Sequence, residues 1–201
     1  GSGNDTINGG AGFDAATYED DGYDSPNQAP TTVGVTVNLA TGIATDNWGN
    51  TDTLSNIEVI RGSRYADRLT GGNPANGAGA TDGFEGFEGG GGNDTIDGGT
   101  GYDRVYYDRS PSAVNVTLGG TFNGTAQDGV GGTDTLINIE EVRGSSFNDT
   151  LTGSDSGVYE SFEGRAGNDT LVGGDGADSL RGGLGNDVLD GGTQRILSGW
   201  A

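Results

Sequence analysis

The chain has 201 residues, among them 43 glycines, 30 acidic residues and nine arginines. It lacks lysine, histidine, cysteine and methionine, and its net charge is −21. Such a charge argues against nucleic acids and anionic membranes as partners, since both require a basic face. The absence of histidine removes Ser-His and Cys-His dyads and histidine-ligated zinc, and no apolar run approaches the ~18 residues of a membrane helix. Lack of cysteine fits a protein exported without disulfides and fits an acidic cytosolic protein equally. Low hydrophobicity with high charge is the signature of disorder. If the chain folds, something must neutralise its carboxylates, and divalent cations would turn binding free energy into folding free energy.

Residues 1–17 read as two glycine turns, GSGNDTIN and GGAGFDAAT. Each turn ends in an aspartate, Asp5 or Asp14, and leads into a short strand. Opening inside a repeat without a start methionine is expected of a fragment with neighbouring domains in a longer chain. Residues 18–61 read as a β-rich insertion. It contains an acidic loop, Tyr18–Asp24, and a second loop through Pro26 and Pro30. The alternating run Val33–Leu39 is expected to pair with Gly42–Thr45 as a hairpin. TDTLSNIEVIR at Thr51–Arg61 then leads back to the repeat.

Residues 62–106 return to turn-and-strand units. GSRYADRLT carries Asp67, with Tyr65 where a glycine is expected. A lengthened unit, Gly71–Glu88, ends in Glu85-Gly86-Phe87-Glu88. Two regular units follow, with Gly92 and Asp94, then Gly101 and Asp103. Residues 107–143 form a second β-rich insertion, with Ala113–Leu118 and TDTLINIEEVR matching the first. Residues 144–195 begin with GSSFNDTLT, holding Phe147 and Asp149, and continue through Glu160-Ser161-Phe162-Glu163. Three nine-residue units then stand in tandem: GRAGNDTLV, GGDGADSLR and GGLGNDVLD. Their aspartates are Asp169, Asp178 and Asp187, and their glycines include Gly167, Gly173, Gly176, Gly182 and Gly185. In the tail, 196–201, Ile196, Leu197 and Trp200 read equally as a cap or as a truncation point. The whole order occurs twice, with a spacing of 89 residues from Asn4 to Asn93 and 75 from Asn93 to Asn168.

Glycines at the first, second and fourth positions permit a tight turn of positive φ, and the three residues after the aspartate suffice for one short strand. Each unit is therefore half a coil, and two units close a flattened coil with their central aliphatic residues inside. The aspartates line the two edges, each above the aspartate two units on. This pattern resembles the RTX (repeats-in-toxin) calcium-binding nonapeptide repeat. The resemblance implies an all-β, right-handed parallel β-roll with inserted β-hairpin segments, forming one continuous solenoid with several Ca²⁺ ions bridging successive turns. The expected ligands are Asp5, Asp14, Asp67, Asp94, Asp103, Asp149, Asp169, Asp178 and Asp187, with backbone oxygens at Gly92, Gly101, Gly167, Gly173, Gly176, Gly182 and Gly185. Glu85 and Glu160 either reach the same ions from their wider turns or stand as exposed glutamates.

Asp52 and Asp134 sit in what look like shortened turns and are expected to be surface acids. Tyr65 and Phe147 are expected to pack on the edge of the roll. Tyr18, Tyr23, Trp48, Tyr106 and Tyr107 either cover a thin core, the favoured reading, or form a sugar-stacking surface. The resemblance further implies a module of a large protein exported by a type I channel and folded by extracellular calcium, in a structural or adhesive role at the cell surface. The alternative is a calcium-dependent carbohydrate-binding module, whose partner would be an extracellular glycan. No catalytic constellation is expected, because every well-placed carboxylate already has a calcium role.

Overall fold

The computed structural model describes residues 1–19, 32–72 and 83–192. The acidic loop beyond Glu19, Tyr23, Pro26, Pro30, the centre of the lengthened turn at 73–82 and the tail lie outside them. The strands run in order as β1 (Thr6–Asn8), β2 (Ala15–Thr17), β3 (Thr36–Asn38), β4 (Ile43–Thr45), β5 (Thr51–Ser55), β6 (Val59–Arg61), β7 (Arg68–Thr70), β8 (Phe84–Glu88), β9 (Thr95–Asp97) and β10 (Tyr102–Tyr106). They continue as β11 (Asn115–Thr117), β12 (Gly124–Gln127), β13 (Thr133–Ile137), β14 (Glu141–Arg143), β15 (Thr150–Thr152), β16 (Ser161–Ala166), β17 (Thr170–Val172), β18 (Ser179–Leu184) and β19 (Val188–Asp190).

The strands form two sheets. The seven-stranded sheet, β2-β6-β8-β10-β14-β16-β18, is parallel throughout. The twelve-stranded sheet takes the alternate strand of each coil, and β15, β17 and β19 pair in parallel at its end. Two hairpins, β3–β4 and β11–β12, enter this sheet and make its antiparallel pairs. The expected pairing of Val33–Leu39 with Gly42–Thr45 is thus present. Within the stretches read as insertions, β5 and β6 pair in parallel with β1 and β2, and β13 and β14 pair in parallel with β9 and β10. Residues 51–61 and 133–143 are therefore full coils of the roll.

Alternation puts one side chain per strand inside. Across the seven-stranded sheet, Ala16, Ile60, Phe87, Val105, Val142, Phe162 and Leu180 stand in register. Leu69, Ile96, Leu136, Val116, Leu151 and Leu171 face them from the other sheet, and all of these except Leu180 are buried. Each fully buried aliphatic side chain contributes about 1.5–3 kcal/mol. Phe162 keeps its inward place after the lengthened turn, so the roll runs unbroken from residue 144 to 190. The last coil is thinner, with Leu189 47% exposed.

Candidate metal centre

The acidic residue two places before each inward side chain ends its turn and begins the next strand. Stacking the coils therefore stacks the acids into two ladders. In each ladder the backbone amide of one acid donates to the carboxylate of the acid on the next coil. On one edge Asp67 donates to Asp94 Oδ1 (2.8 Å) and Asp94 to Asp134 Oδ1 (3.1 Å). After the second hairpin, Asp149 donates to Asp169 Oδ1 (2.8 Å) and Asp169 to Asp187 Oδ1 (3.0 Å). Asp5 donates to Asp52 Oδ1 (2.9 Å) at the first coil, where Asp5 itself is exposed.

The other edge holds Asp14, Glu58, Glu85, Asp103, Glu140, Glu160 and Asp178. Its amide-to-carboxylate links run from Asp14 to Glu58 (2.8 Å), Glu85 to Asp103 (3.1 Å), Asp103 to Glu140 (2.9 Å) and Glu160 to Asp178 (3.0 Å). Glu85 and Glu160 are buried, not exposed. Each bends back to accept its own loop's amide, Gly72 for Glu85 and Ser154 for Glu160.

One expectation is overturned: Asp52 and Asp134 are 1% exposed and stand on the first ladder. Tyr18 and Tyr107 join the core, as the favoured reading had it. They are 2% and 4% exposed, and their hydroxyls donate to Asp52 Oδ2 (3.2 Å) and Asp134 Oδ2 (3.0 Å). The physical reason lies in the hairpins. The hairpin strand beside each of these acids, β4 or β12, runs antiparallel and sets an alanine, Ala44 or Ala126, opposite it where a plain coil would bring another acid. The ladder is interrupted there, and the phenol satisfies the last carboxylate. Glu58 and Glu140 were absent from the sequence reading. Their turn is shortened to Asn-Ile-Glu, with Asn56 and Asn138 at φ 52° and 51° where a regular unit would use glycine. The signal that finds them is the acid–x–apolar triplet, Glu58-Val59-Ile60 and Glu140-Glu141-Val142, the same triplet as at Glu85 and Glu160.

The second carboxylate oxygens divide the rungs. At Asp67 and Asp149, Ser63 and Ser145 occupy the second turn position, and their amides donate to Oδ2 while their hydroxyls donate to Oδ1. The amides of Tyr65 and Phe147 donate in turn to the serine hydroxyls, and Phe147 is 45% exposed on the edge. By contrast, Oδ2 of Asp14, Asp94, Asp103, Asp169 and Asp178 and Oε1 of Glu160 are buried without a hydrogen-bond partner. A buried carboxylate oxygen left unpaired is costly.

The turns supply further oxygens. Gly92, Gly101, Gly167, Gly176 and Gly185 all have positive φ, from 114° to 155°. A Cβ on Gly185 would strike the carbonyl oxygen of Gly167, and one on Gly101 that of Gly83, so turn carbonyls stack over the glycines of neighbouring coils. First-position glycines open the carboxylate side. A Cβ on Gly173 would come within 2.7 Å of Asp178 Oδ2, and one on Gly182 would strike Asp187 Oδ2.

Burial raises the carboxyls along both ladders. Asp94 and Asp103 are pushed up to about 8, in both cases chiefly by burial, with neighbouring acids adding to it. Asp67 and Asp134 rise to about 6, again by burial, opposed by the Ser63 amide and by the Asp94 amide and Tyr107 hydroxyl respectively. Glu85, Glu140, Asp149, Glu160 and Asp169 are raised from the same leading cause. A bound cation reverses this preference for the neutral form.

This donor set fits calcium, a hard cation that takes six to eight oxygens from carboxylates and carbonyls. Among the described residues no three acidic side chains converge on one point. An ion here would draw carboxylates from successive rungs and fill its shell from turn carbonyls and solvent.

Fold and edges together define a parallel β-roll built for cations along its turns. The chain carries RTX repeats: the family model for the RTX calcium-binding nonapeptide repeat matches it in four copies, over residues 1–15, 52–73, 87–108 and 163–195. The second match begins at Asp52, inside the stretch that the sequence alone read as insertion. No curated protein matches the chain. Among the described residues no helix is long and apolar enough to cross a membrane.

Proposed function

We propose that the chain is a non-enzymatic module that folds around calcium outside the cell, as a structural or adhesive part of a larger secreted or surface protein. The observation that carries this reading is the set of buried, partnerless oxygens on Asp94, Asp103, Glu160, Asp169 and Asp178. In a chain of net charge −21, these groups oppose folding until a cation reaches them. Extracellular modules bind calcium in the ~10⁻⁴–10⁻³ M range, so extracellular calcium fills sites that cytosolic calcium leaves empty. Each site then contributes about one or two kcal/mol by mass action, and several must act together. The test is far-UV circular dichroism. The spectrum should be disordered in chelator and β-rich in millimolar calcium, with magnesium a poor substitute because it demands small octahedral sites. A β spectrum indifferent to chelator would sink the proposal.

A second reading, a carbohydrate-binding module, is favoured by the outer face of the seven-stranded sheet. Phe13 lies against Phe84 (5.5 Å between centroids, rings tilted by 42°) and Tyr102 against Tyr159 (6.0 Å, 34°), while the Arg104 guanidinium lies 5.1 Å from the Phe84 ring. A glycan array probed in calcium separates the two readings.

A further inference from the structure

The turn that joins each hairpin to the next coil, between β4 and β5 or between β12 and β13, holds an acid that belongs to no nonapeptide, Asp46 in DNWGNTD and Asp128 in DGVGGTD. Both are buried, at 2% and 1% exposure, and both close their turn through Oδ1. Asp46 Oδ1 accepts the amides of Trp48 (2.9 Å) and Asn50 (2.7 Å). Asp128 Oδ1 accepts those of Val130 (2.8 Å), Gly131 (2.8 Å) and Gly132 (2.9 Å).

The second oxygens differ. Asp46 Oδ2 accepts the side-chain amide of Asn50 (2.8 Å). Glycine stands at the equivalent place in the second copy, Gly132, and Asp128 Oδ2 is buried with no partner. A Cβ on Gly132 would strike the Gly92 carbonyl oxygen and come within 2.6 Å of Asp128 Oδ2. Those two oxygens therefore flank one spot. Asp94, two residues after Gly92, has a buried, partnerless Oδ2 of its own. An open recess of about 450 Å³, lined in part by Ser112, Asp128, Gly132 and Thr133, adjoins the turn and gives water and ions a route in.

We propose that Asp128 Oδ2 and the Gly92 carbonyl hold an additional calcium ion beside Asp94, tying the second hairpin to the roll. Solvent from the recess completes its coordination. The first copy has no equivalent ion, because the Asn50 amide already satisfies Asp46. Asp128 lies outside all four matched nonapeptide segments, whereas Gly92 and Asp94 lie within the third, 87–108.

The inference rests on the calcium reading above, and counting ions separates the two. Native mass spectrometry of the whole chain in calcium gives the parent count. Asp128→Asn keeps a side-chain oxygen for the three amides and replaces Oδ2 with an NH₂, so it should bind one ion fewer. Asp46→Asn should bind the parent number. An Asp128→Asn count equal to the parent's overturns this inference alone, while a parent that binds no calcium overturns the calcium reading itself. Should Asp128→Asn fail to fold, a terbium-soaked crystal of the unmodified chain decides. An anomalous peak within ~2.3–2.6 Å of Asp128 Oδ2 is expected, and its absence, with peaks present elsewhere on the ladders, refutes the proposal.

Discussion

Two rungs of one ladder, Asp94 and Asp134, lie on adjacent coils, and both are 1% exposed. Burial lifts the first to about 8 and the second only to about 6. Oδ2 of Asp134 receives the Tyr107 hydroxyl, whereas Oδ2 of Asp94 receives nothing. The protein thus completes some rungs with its own donors and leaves others to a cation. Rungs of the first kind stand where the repeat is irregular: Asp52 and Asp134 beside the hairpins, Asp67 and Asp149 in the turns with serine. Rungs of the second kind include Asp94, Asp103 and Asp178, each in a full nine-residue unit that opens on two glycines. An acid-rich roll can therefore have calcium-independent joints at its irregular coils and calcium-dependent ones between them.

The largest effect that sharpens this contrast is that of pH in chelator. The raised carboxyls bind protons more tightly in the folded state than in the unfolded one. Their stabilising contribution is complete below the ordinary aspartate range and is lost as pH rises through the folded value of about 8 at Asp94 and Asp103. Calcium-free chain, disordered at neutral pH, should gain β-structure as pH falls toward about 4, as followed by circular dichroism. A flat profile would mean that the ladder acids are not buried without calcium.

A middle-sized effect separates neighbours on one edge. Asp169 links to rungs on both sides, and Asp187 has one such link among the described residues. Asp169→Ala should raise the calcium midpoint of folding several-fold more than Asp187→Ala. Equal shifts would break the ladder as drawn.

The smallest effect concerns the tyrosine rung. Tyr107→Phe leaves a buried Asp134 oxygen without its donor, a loss of about 1–3 kcal/mol, and should lower stability by that amount in saturating calcium, as measured by urea denaturation. If stability is unchanged, the hydroxyl is not what completes that rung.

These contrasts also show how far the sequence could be read. The run from Gly164 to Asp190 declares itself, because each turn repeats its glycines and its acid at fixed spacing. The hairpin of Val33–Leu39 is legible from alternation alone. Glu58 and Glu140 are hidden in the sequence because positive-φ asparagines, Asn56 and Asn138, replace the glycine turn that marks a regular unit. The burial of Asp52 and Asp134 depends on what the neighbouring hairpin strand brings to the same slot, a long-range fact that local spacing does not carry. Tyr18 and Tyr107 were accessible in principle, since counting by twos from Ala16 and Val105 points both inward.

The most direct measurement is an anomalous diffraction map from crystals grown in calcium. The account predicts ions within ~2.3–2.6 Å of Oδ2 of Asp103, Asp169 and Asp178 and of Glu160 Oε1, with none on Oδ2 of Asp52 or Asp134. Ions bound at the tyrosine rungs, or ladders without ions at the partnerless oxygens, would contradict it.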